Sequence, residues 1–533
     1  MNAKRLVVSL LSGIGFLVAS CGGGESDSSV AVGGNQGGAT AQPAPLPTGN
    51  LRVAVADGDG RPLHGAVVYV LVATGYLMDK TTDQGGEASF AAVPEQVTLQ
   101  VHHPIGDREV HLIVKQSGST VTTVIVEPYA TYPVALFPAS IASISADRME
   151  VELHLSLAGS AGAEYPFPMY GENVFPDPEN PLAGEVLQVG PIFRVGDCTF
   201  RAKAWRTRPG STPECYRKAY PPGSEMSGRG YSVVGVRYAY DPLGNPAFAR
   251  SGDPYAAMLL LDQSERALQG MRDSRSGSEA NRVVAAYLQN FAARLFIHRA
   301  LNETKLNQVA VAGFAGPAAS ASTPPLIPVL PVWTTPFLTD TTKLDGAADD
   351  LESKFGGSAP VLLALKSALN LTAQQVPLAG NRMVVAMLSG GDDGVFTALQ
   401  SRAELQALRS LRTDTGIKAV LVSSRESVIN QGMDIVEGKA PSGLAEISAS
   451  LSAPLVFSPN TWPTSHPYAG MGMASDLVAG KAMPTIDLFF RLRTDDPAGF
   501  APGSTITDTL KVVQGDDGWG YDVTPLPFSV EIP

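Results

Sequence analysis

The 533-residue sequence predicts a multidomain chain: an N-terminal all-β sandwich, a second β-sandwich, and an α/β doubly wound domain with a mostly parallel sheet. Three observations lead there. Between residues 50 and 128 apolar and polar residues alternate, the period of a half-buried strand. Between 255 and 460 short, wholly apolar runs alternate with stretches of helical period, the pattern of a parallel sheet covered on both faces. After Pro459 the alternation of period two returns.

The chain opens on Lys4 and Arg5, then an apolar run from Leu6 to Ala19 that is short for a membrane span and shaped for export. That run ends in Leu17-Val18-Ala19-Ser20-Cys21, which resembles the processing box of bacterial lipoproteins. The resemblance implies a signal peptide over 1–20, cleavage before Cys21, and anchoring of the bacterial cell envelope kind through acyl chains on that cysteine. Gly22, where many such families carry an inner-membrane retention aspartate, points to the outer membrane. The alternative is an ordinary signal peptide with a chance cysteine. Residues 21–49 are rich in Gly, Ser, Ala, Pro and Gln, bury too little to fold, and read as a flexible linker.

Past the leader no apolar stretch reaches membrane-spanning length. The net charge of −12, made more acidic by loss of Lys4 and Arg5, argues against nucleic acid and anionic lipid as partners, since both call for clustered basic residues. Of three cysteines, Cys21 is the one that the lipoprotein resemblance assigns to the lipid. Cys198 and Cys215 remain, in one short exported segment, and read as a disulfide; a metal site is the lesser alternative because no nearby histidine or second thiol pair completes it.

In the stretch 50–128, Leu51, Val53 and Val55 alternate with polar or small residues, Asp57-Gly58-Asp59-Gly60 makes a turn, and 66–72 forms a second strand. Thr82-Asp83-Gln84-Gly85-Gly86 is another turn, and strands at 97–101 and 121–126 complete the set. Asp59-Gly60-Arg61-Pro62-Leu63, followed by Gly65-Ala66-Val67-Val68 and by Thr82 to Gly86, resembles the transthyretin-like, or carboxypeptidase regulatory-like, domain. That resemblance implies a non-catalytic β-sandwich. Residues 130–250 keep strand patterning around Met149–Leu155 and Tyr231–Val236 and are expected to form a β-rich domain. Strands in 463–533 either complete that sandwich, which makes the α/β unit an insertion, or stand apart from it.

The α/β segment shows buried strands at 256–261, 308–314, 383–388 and 417–422. Between them lie helical patterns at 283–295, 345–354, 361–369 and 403–411. Ligands of open α/β sheets gather at the carboxyl ends of the strands. Here those ends carry Asp262-Gln263-Ser264, Gly356-Gly357-Ser358 and Ser389-Gly390-Gly391-Asp392-Asp393. The order of these loops over 255–460 resembles a von Willebrand factor type A domain, whose metal-ion-dependent adhesion site draws oxygen ligands from an Asp-x-Ser-x-Ser loop, a later threonine and a later aspartate. The resemblance places Asp262 and Ser264 in the first loop, Ser358 at the threonine, and Asp392 nearest the last aspartate. Arg266 stands where the second serine belongs, and Gly390 where the aspartate belongs. Two readings follow: a weak Mg²⁺ or Ca²⁺ site, or a degenerate one in which the Arg266 guanidinium supplies the positive charge.

The seven histidines form no zinc-helix motif, no nucleophile elbow occurs, and neither double glycine leads into a phosphate-binding lysine. No enzyme is expected. The resulting functional expectation is a lipid-anchored cell-envelope protein presenting an adhesion-type head to a protein or glycan ligand. The alternative is a structural lipoprotein of an envelope assembly whose head binds nothing.

Overall fold

The computed structural model describes residues 48–73, 75–103, 105–128, 133–160, 192–195, 198–201, 230–241, 244, 248–270, 279–316, 333–351, 357–375, 381–390, 398–423, 429–430, 443–457, 466–496, 498–516 and 520–533. The lipoprotein box with Cys21, the linker to residue 47, Cys215 and Asp392 lie outside them. No helix among the described residues is long and apolar enough to cross a membrane.

Eight strands build the N-terminal module: β1 (Thr48–Ala56), β2 (Val67–Val72), β3 (Gly75–Thr81), β4 (Glu87–Pro94), β5 (Gln96–His103), β6 (Gly106–Ile113), β7 (Ser119–Ile125) and β8 (Glu127–Pro128). They form two sheets, ordered β4-β1-β7 and β3-β2-β5-β6-β8. Alternation decides which side faces in: Leu51, Val53 and Val55 of β1 are buried against Val68, Val70, Leu99 and Val101 of the other sheet. The turn into β4 depends on Gly86, at φ +74°, because a Cβ there would lie 2.7 Å from the Val55 carbonyl oxygen.

The module does not close its core alone. Leu288, Phe291, Leu295 and Tyr468, from two helices of the following α/β part, belong to the same buried cluster. Beside them Arg61 pairs with Asp57 and donates to the Tyr468 hydroxyl at 2.8 Å, while that hydroxyl donates to Asp57 at 2.9 Å. Asp57 also accepts the backbone N–H groups of Asp59 and Arg61, so the turn that the sequence marks as loop chemistry is itself the docking element.

Next come β9 (Val134–Leu136), β10 (Ser140–Ile144), β11 (Glu150–Ala158), β12 (Ile192–Val195), β13 (Cys198–Arg201) and β14 (Ser232–Asp241). The α/β part follows with β15 (Tyr255–Asp262), α1 (Glu265–Gly270), α2 (Glu279–Glu303), β16 (Gln308–Phe314), β17 (Trp333–Thr334), α3 (Thr341–Leu351), α4 (Val361–Gln374) and β18 (Asn381–Leu388). It continues with α5 (Ala398–Thr415), β19 (Lys418–Ser423), β20 (Ile429–Asn430), α6 (Leu444–Leu451), β21 (Leu455–Phe457) and α7 (His466–Val478). The last strands are β22 (Thr485–Arg493), β23 (Thr505–Asp516) and β24 (Gly520–Glu531).

Strands β16, β15, β18, β19 and β21 run parallel in that order. Their two faces are both covered, with successive residues assigned to opposite cores. Leu259 and Leu261 pack with Phe296, Leu344 and Leu477 of α2, α3 and α7. Met258 and Leu260 pack with Leu365, Leu408 and Ile447 of α4, α5 and α6. This two-sided burial is why β15 reads as an unbroken apolar run.

The expected boundary near residue 255 is not a break in the sheet. β9 pairs antiparallel with β21 on one side and β11 on the other, splicing the parallel strands onto β11, β22 and β14 in one 11-stranded sheet. Facing that extension is a five-stranded sheet ordered β13-β12-β23-β24-β20. Leu153 and Leu488 from the first sheet share a core with Phe193, Leu510 and Phe528 from the second. The segment 463–533 opens with α7 rather than a strand. Gly472 of α7 lies against Leu295 and Arg299 of α2, and Gly and Ser interleaved with the buried Met471, Leu477 and Val478 blur the helical periodicity.

His103 supplies a pH prediction. It is 3% exposed, its ring meets Phe291 edge-on at 5.0 Å, and burial pushes its imidazole down to about 4, the hydrogen bond to the His64 carbonyl oxygen offsetting only part of that. The unfolded chain therefore takes up this proton near the ordinary value of about 6.5 and the folded chain only near 4. Stability should be complete above that window and fall as pH drops through it, by on the order of 3 kcal/mol. Urea unfolding between pH 7 and 4 measures this, and His103→Gln should flatten the slope.

Candidate functional site

Asp262 ends β15, and at 1% exposure its carboxylate is a buried charge that must be met by donors. Ser264 donates its backbone N–H to Oδ1 at 3.0 Å. Ser389, the first residue past β18, donates both its N–H (3.1 Å) and its hydroxyl (2.5 Å) to Oδ2. One carboxylate thereby ties together the carboxyl ends of two adjacent parallel strands. From behind, Gln289 of α2 donates its side-chain amide to the Asp262 carbonyl oxygen at 3.2 Å.

Ser264 starts α1: its carbonyl oxygen and hydroxyl both accept from the Ala267 N–H, at 3.1 and 3.3 Å. The Glu265 N–H donates to the Gly357 carbonyl oxygen at 3.0 Å, which brings the Gly357-Ser358 loop beside this turn. Ser358 in turn accepts the Gly316 N–H through its carbonyl oxygen at 2.8 Å, and its hydroxyl occupies the space that a side chain at Gly316 would need. Asp262, Ser264 and the Ser358 loop therefore gather at one end of the sheet, while the Ser358 hydroxyl is turned to Gly316 rather than bonded to Asp262.

Arg266 lies over this corner. Its Nε donates to the Ser389 hydroxyl oxygen at 3.3 Å. A Cβ at Gly390 would stand 3.3 to 3.5 Å from the guanidinium, so this residue lies directly beside the arginine head. The chain Arg266, Ser389, Asp262 couples a positive charge to the buried carboxylate through one hydroxyl. Two further polar atoms at this end, Oε1 of Gln263 and Oε1 of Gln289, are buried with no hydrogen-bond partner among the described residues.

Asp392, the fourth residue expected here, lies outside the described residues. Cys198, in β13, is buried and disulfide-bonded, while Cys215 lies outside them too. Sequence reasoning assigned no role to Ser389 or Gln289. The available signal was position: Ser389 is the first polar residue after the apolar run of β18, and Gln289 is a buried polar residue between Leu288 and Phe291.

No family model matches this chain, and no curated protein matches it. Among solved structures, it is similar to the SpRpn10 VWA domain at 12% identity, over 42% of this chain and 97% of that one, with a TM-score of 0.28. A variant of the PilB minor pilin from Streptococcus sanguinis matches at 10% identity over 81% of this chain and 92% of that one, TM-score 0.28. The pilus adhesin SpaC from Lactobacillus rhamnosus GG matches at 10% identity over 64% of this chain and 56% of that one, also at 0.28. These likenesses are distant, and the parallel α/β sheet with its β-sandwich extension stands on the strand order itself.

Replacing Ser389 with alanine removes the shortest donor to a buried charge while its N–H remains. The Ser389→Ala chain should lose about 2 kcal/mol of stability in urea unfolding. A loss below about 0.5 kcal/mol would contradict the role given to this hydroxyl.

Proposed function

We propose that this chain is a lipid-anchored cell-envelope binding protein. It is tethered through Cys21 at the outer membrane and presents a von Willebrand type A-like head to a protein or glycan ligand at the strand ends of Asp262, Ser264, Ser358 and Asp392. The observation that carries the reading is the convergence of the Asp262, Gly357-Ser358 and Ser389-Gly390 segments at the carboxyl end of a parallel sheet, where such folds bind.

In this proposal the head works without Mg²⁺ or Ca²⁺. The described residues fit a divalent cation poorly. Both Asp262 oxygens already accept protein donors, and the Ser264 hydroxyl accepts one from Ala267. A hard cation needs several oxygens at short, fixed distances, and a guanidinium in the same corner repels it. Arg266 then takes over as the positive element, and recognition is polar and direct.

A structural role in an envelope assembly is the second reading. It is favoured by Leu288, Phe291, Leu295 and Tyr468, which make the head part of the module's own core. Affinity capture from intact cells separates the two. With wild type and Arg266→Glu as baits, strand-end recognition predicts a partner recovered with wild type and lost with the variant. Equal recovery with both would favour the structural role.

A further inference from the structure

The five-stranded sheet of the N-terminal module turns apolar at one end. Strand register builds that end. Tyr76 of β3 pairs with Leu71 of β2, Leu71 with Thr98 of β5, and Thr98 with His111 of β6. Two residues further along β6, on the same outer face, Ile113 pairs with Gln96. Ile113 is 69% exposed and Tyr76 61%. Leu71, Val72, Val97, Leu112 and Ile113 line an open groove of about 490 Å³. Clustered apolar side chains left in solvent mark a surface that meets a partner.

Two neighbouring elements place this end. His103, at the far end of β5, has its ring 5.0 Å from that of Phe291 in the head, roughly 23 Å from Gln96 along an eight-residue strand. The apolar end is therefore the end of the module remote from the head. It is also where the chain enters. Thr48 pairs with Pro94, two residues before Gln96, and Gly49 lies against Val114 and Lys115, which follow Ile113. The Val114 N–H donates to the Glu95 carbonyl oxygen at 2.7 Å and closes the same edge.

We propose that this apolar end docks on the surface of the bilayer that holds the anchor, its occupant being the glycerol and upper acyl region of zwitterionic phospholipid. The inference rests on the lipid-anchored reading above. On that reading only residues 21–47 separate the lipid on Cys21 from Thr48, and a Gly-rich chain of that length averages roughly 30 Å end to end. The anchor thus holds the apolar end, rather than the head, against the membrane. Ile113 supplies an aliphatic side chain to bury, and Tyr76 an amphipathic ring suited to the headgroup level. The net charge of −12 gives anionic lipid no electrostatic advantage, so the attraction is apolar. Docking in this way leaves the head projecting from the membrane.

The test uses the chain from residue 21 onward with Cys21→Ser, so that no lipid is attached, spun with vesicles of phosphatidylcholine and phosphatidylethanolamine. Saturable co-sedimentation is expected, weakened about tenfold in Ile113→Asp and also weakened in Tyr76→Ser, with unchanged thermal unfolding because both side chains are exposed. It should be unaffected by Leu371→Asp, which alters an exposed apolar residue on α4 of the head. No vesicle binding, or equal weakening by Leu371→Asp, would overturn the proposal. So would sedimentation without vesicles that Ile113→Asp abolishes, since the occupant would then be a second copy of the chain. The anchor is read separately, by mass spectrometry of the Cys21 peptide from cells. Absence of acyl chains there overturns the anchored reading, whereas their presence with no vesicle binding overturns only the docking.

Discussion

A carboxylate that is 1% exposed at the end of a fully buried strand is the constraint around which the head is arranged. Left unpaired, the Asp262 charge would cost several kcal/mol, and the fold meets it with two backbone N–H groups and one hydroxyl. Those donors come from opposite sides: Ser264 opens α1, and Ser389 leaves β18. Satisfying one charge therefore fixes the exit direction of two loops and their spacing. Ser389 can donate to Asp262 and still accept from Arg266, so a positive charge is positioned at the same corner. Gly390 lies directly beside that guanidinium.

The second arrangement that matters is the joint between module and head. Helix α2 is apolar on two sides. Ala292, Phe296 and Ala300 face the parallel sheet, and Leu288, Phe291 and Leu295 enter the module's core. The buried Arg61–Asp57 pair is completed by the Tyr468 hydroxyl, which bonds to both partners. A buried ion pair gains little by itself, because desolvation offsets the attraction. Its geometric demand is specific, however, and it sets the register in which the turn meets α7. The β9 splice does the same for the sandwich, making two sheets of different character one continuous layer.

The parallel strands were legible because burial on both faces removes polar residues altogether, and four apolar runs announce β15, β16, β18 and β19. The module's strands were legible from period two. Three features were not. β9 is only Val134-Ala135-Leu136, too short for any period, and its importance comes from the two strands it joins. α7 buries Met471, Ala474, Leu477 and Val478 on the sheet, but the Gly and Ser residues among them weaken the apolar stripe that the sequence shows. Polar residues stand out at the end of the apolar run of β15, so the sequence points to Asp262, Ser264 and the unusual Arg266. Ser389 was hidden because a serine after a strand is most simply a turn residue, and only the facing carboxylate gives it a task.

In the proposed function the guanidinium of Arg266 takes the role that a divalent cation would have at this strand end. Thermal unfolding in excess Mg²⁺ compared with chelator, on wild type and on Arg266→Ser, tests it most directly. The expected result is the same Tm for wild type in both conditions and a Mg²⁺-dependent rise for Arg266→Ser, where a hydroxyl replaces the competing charge. A Mg²⁺-dependent rise in wild type that disappears in Asp262→Ala would contradict it.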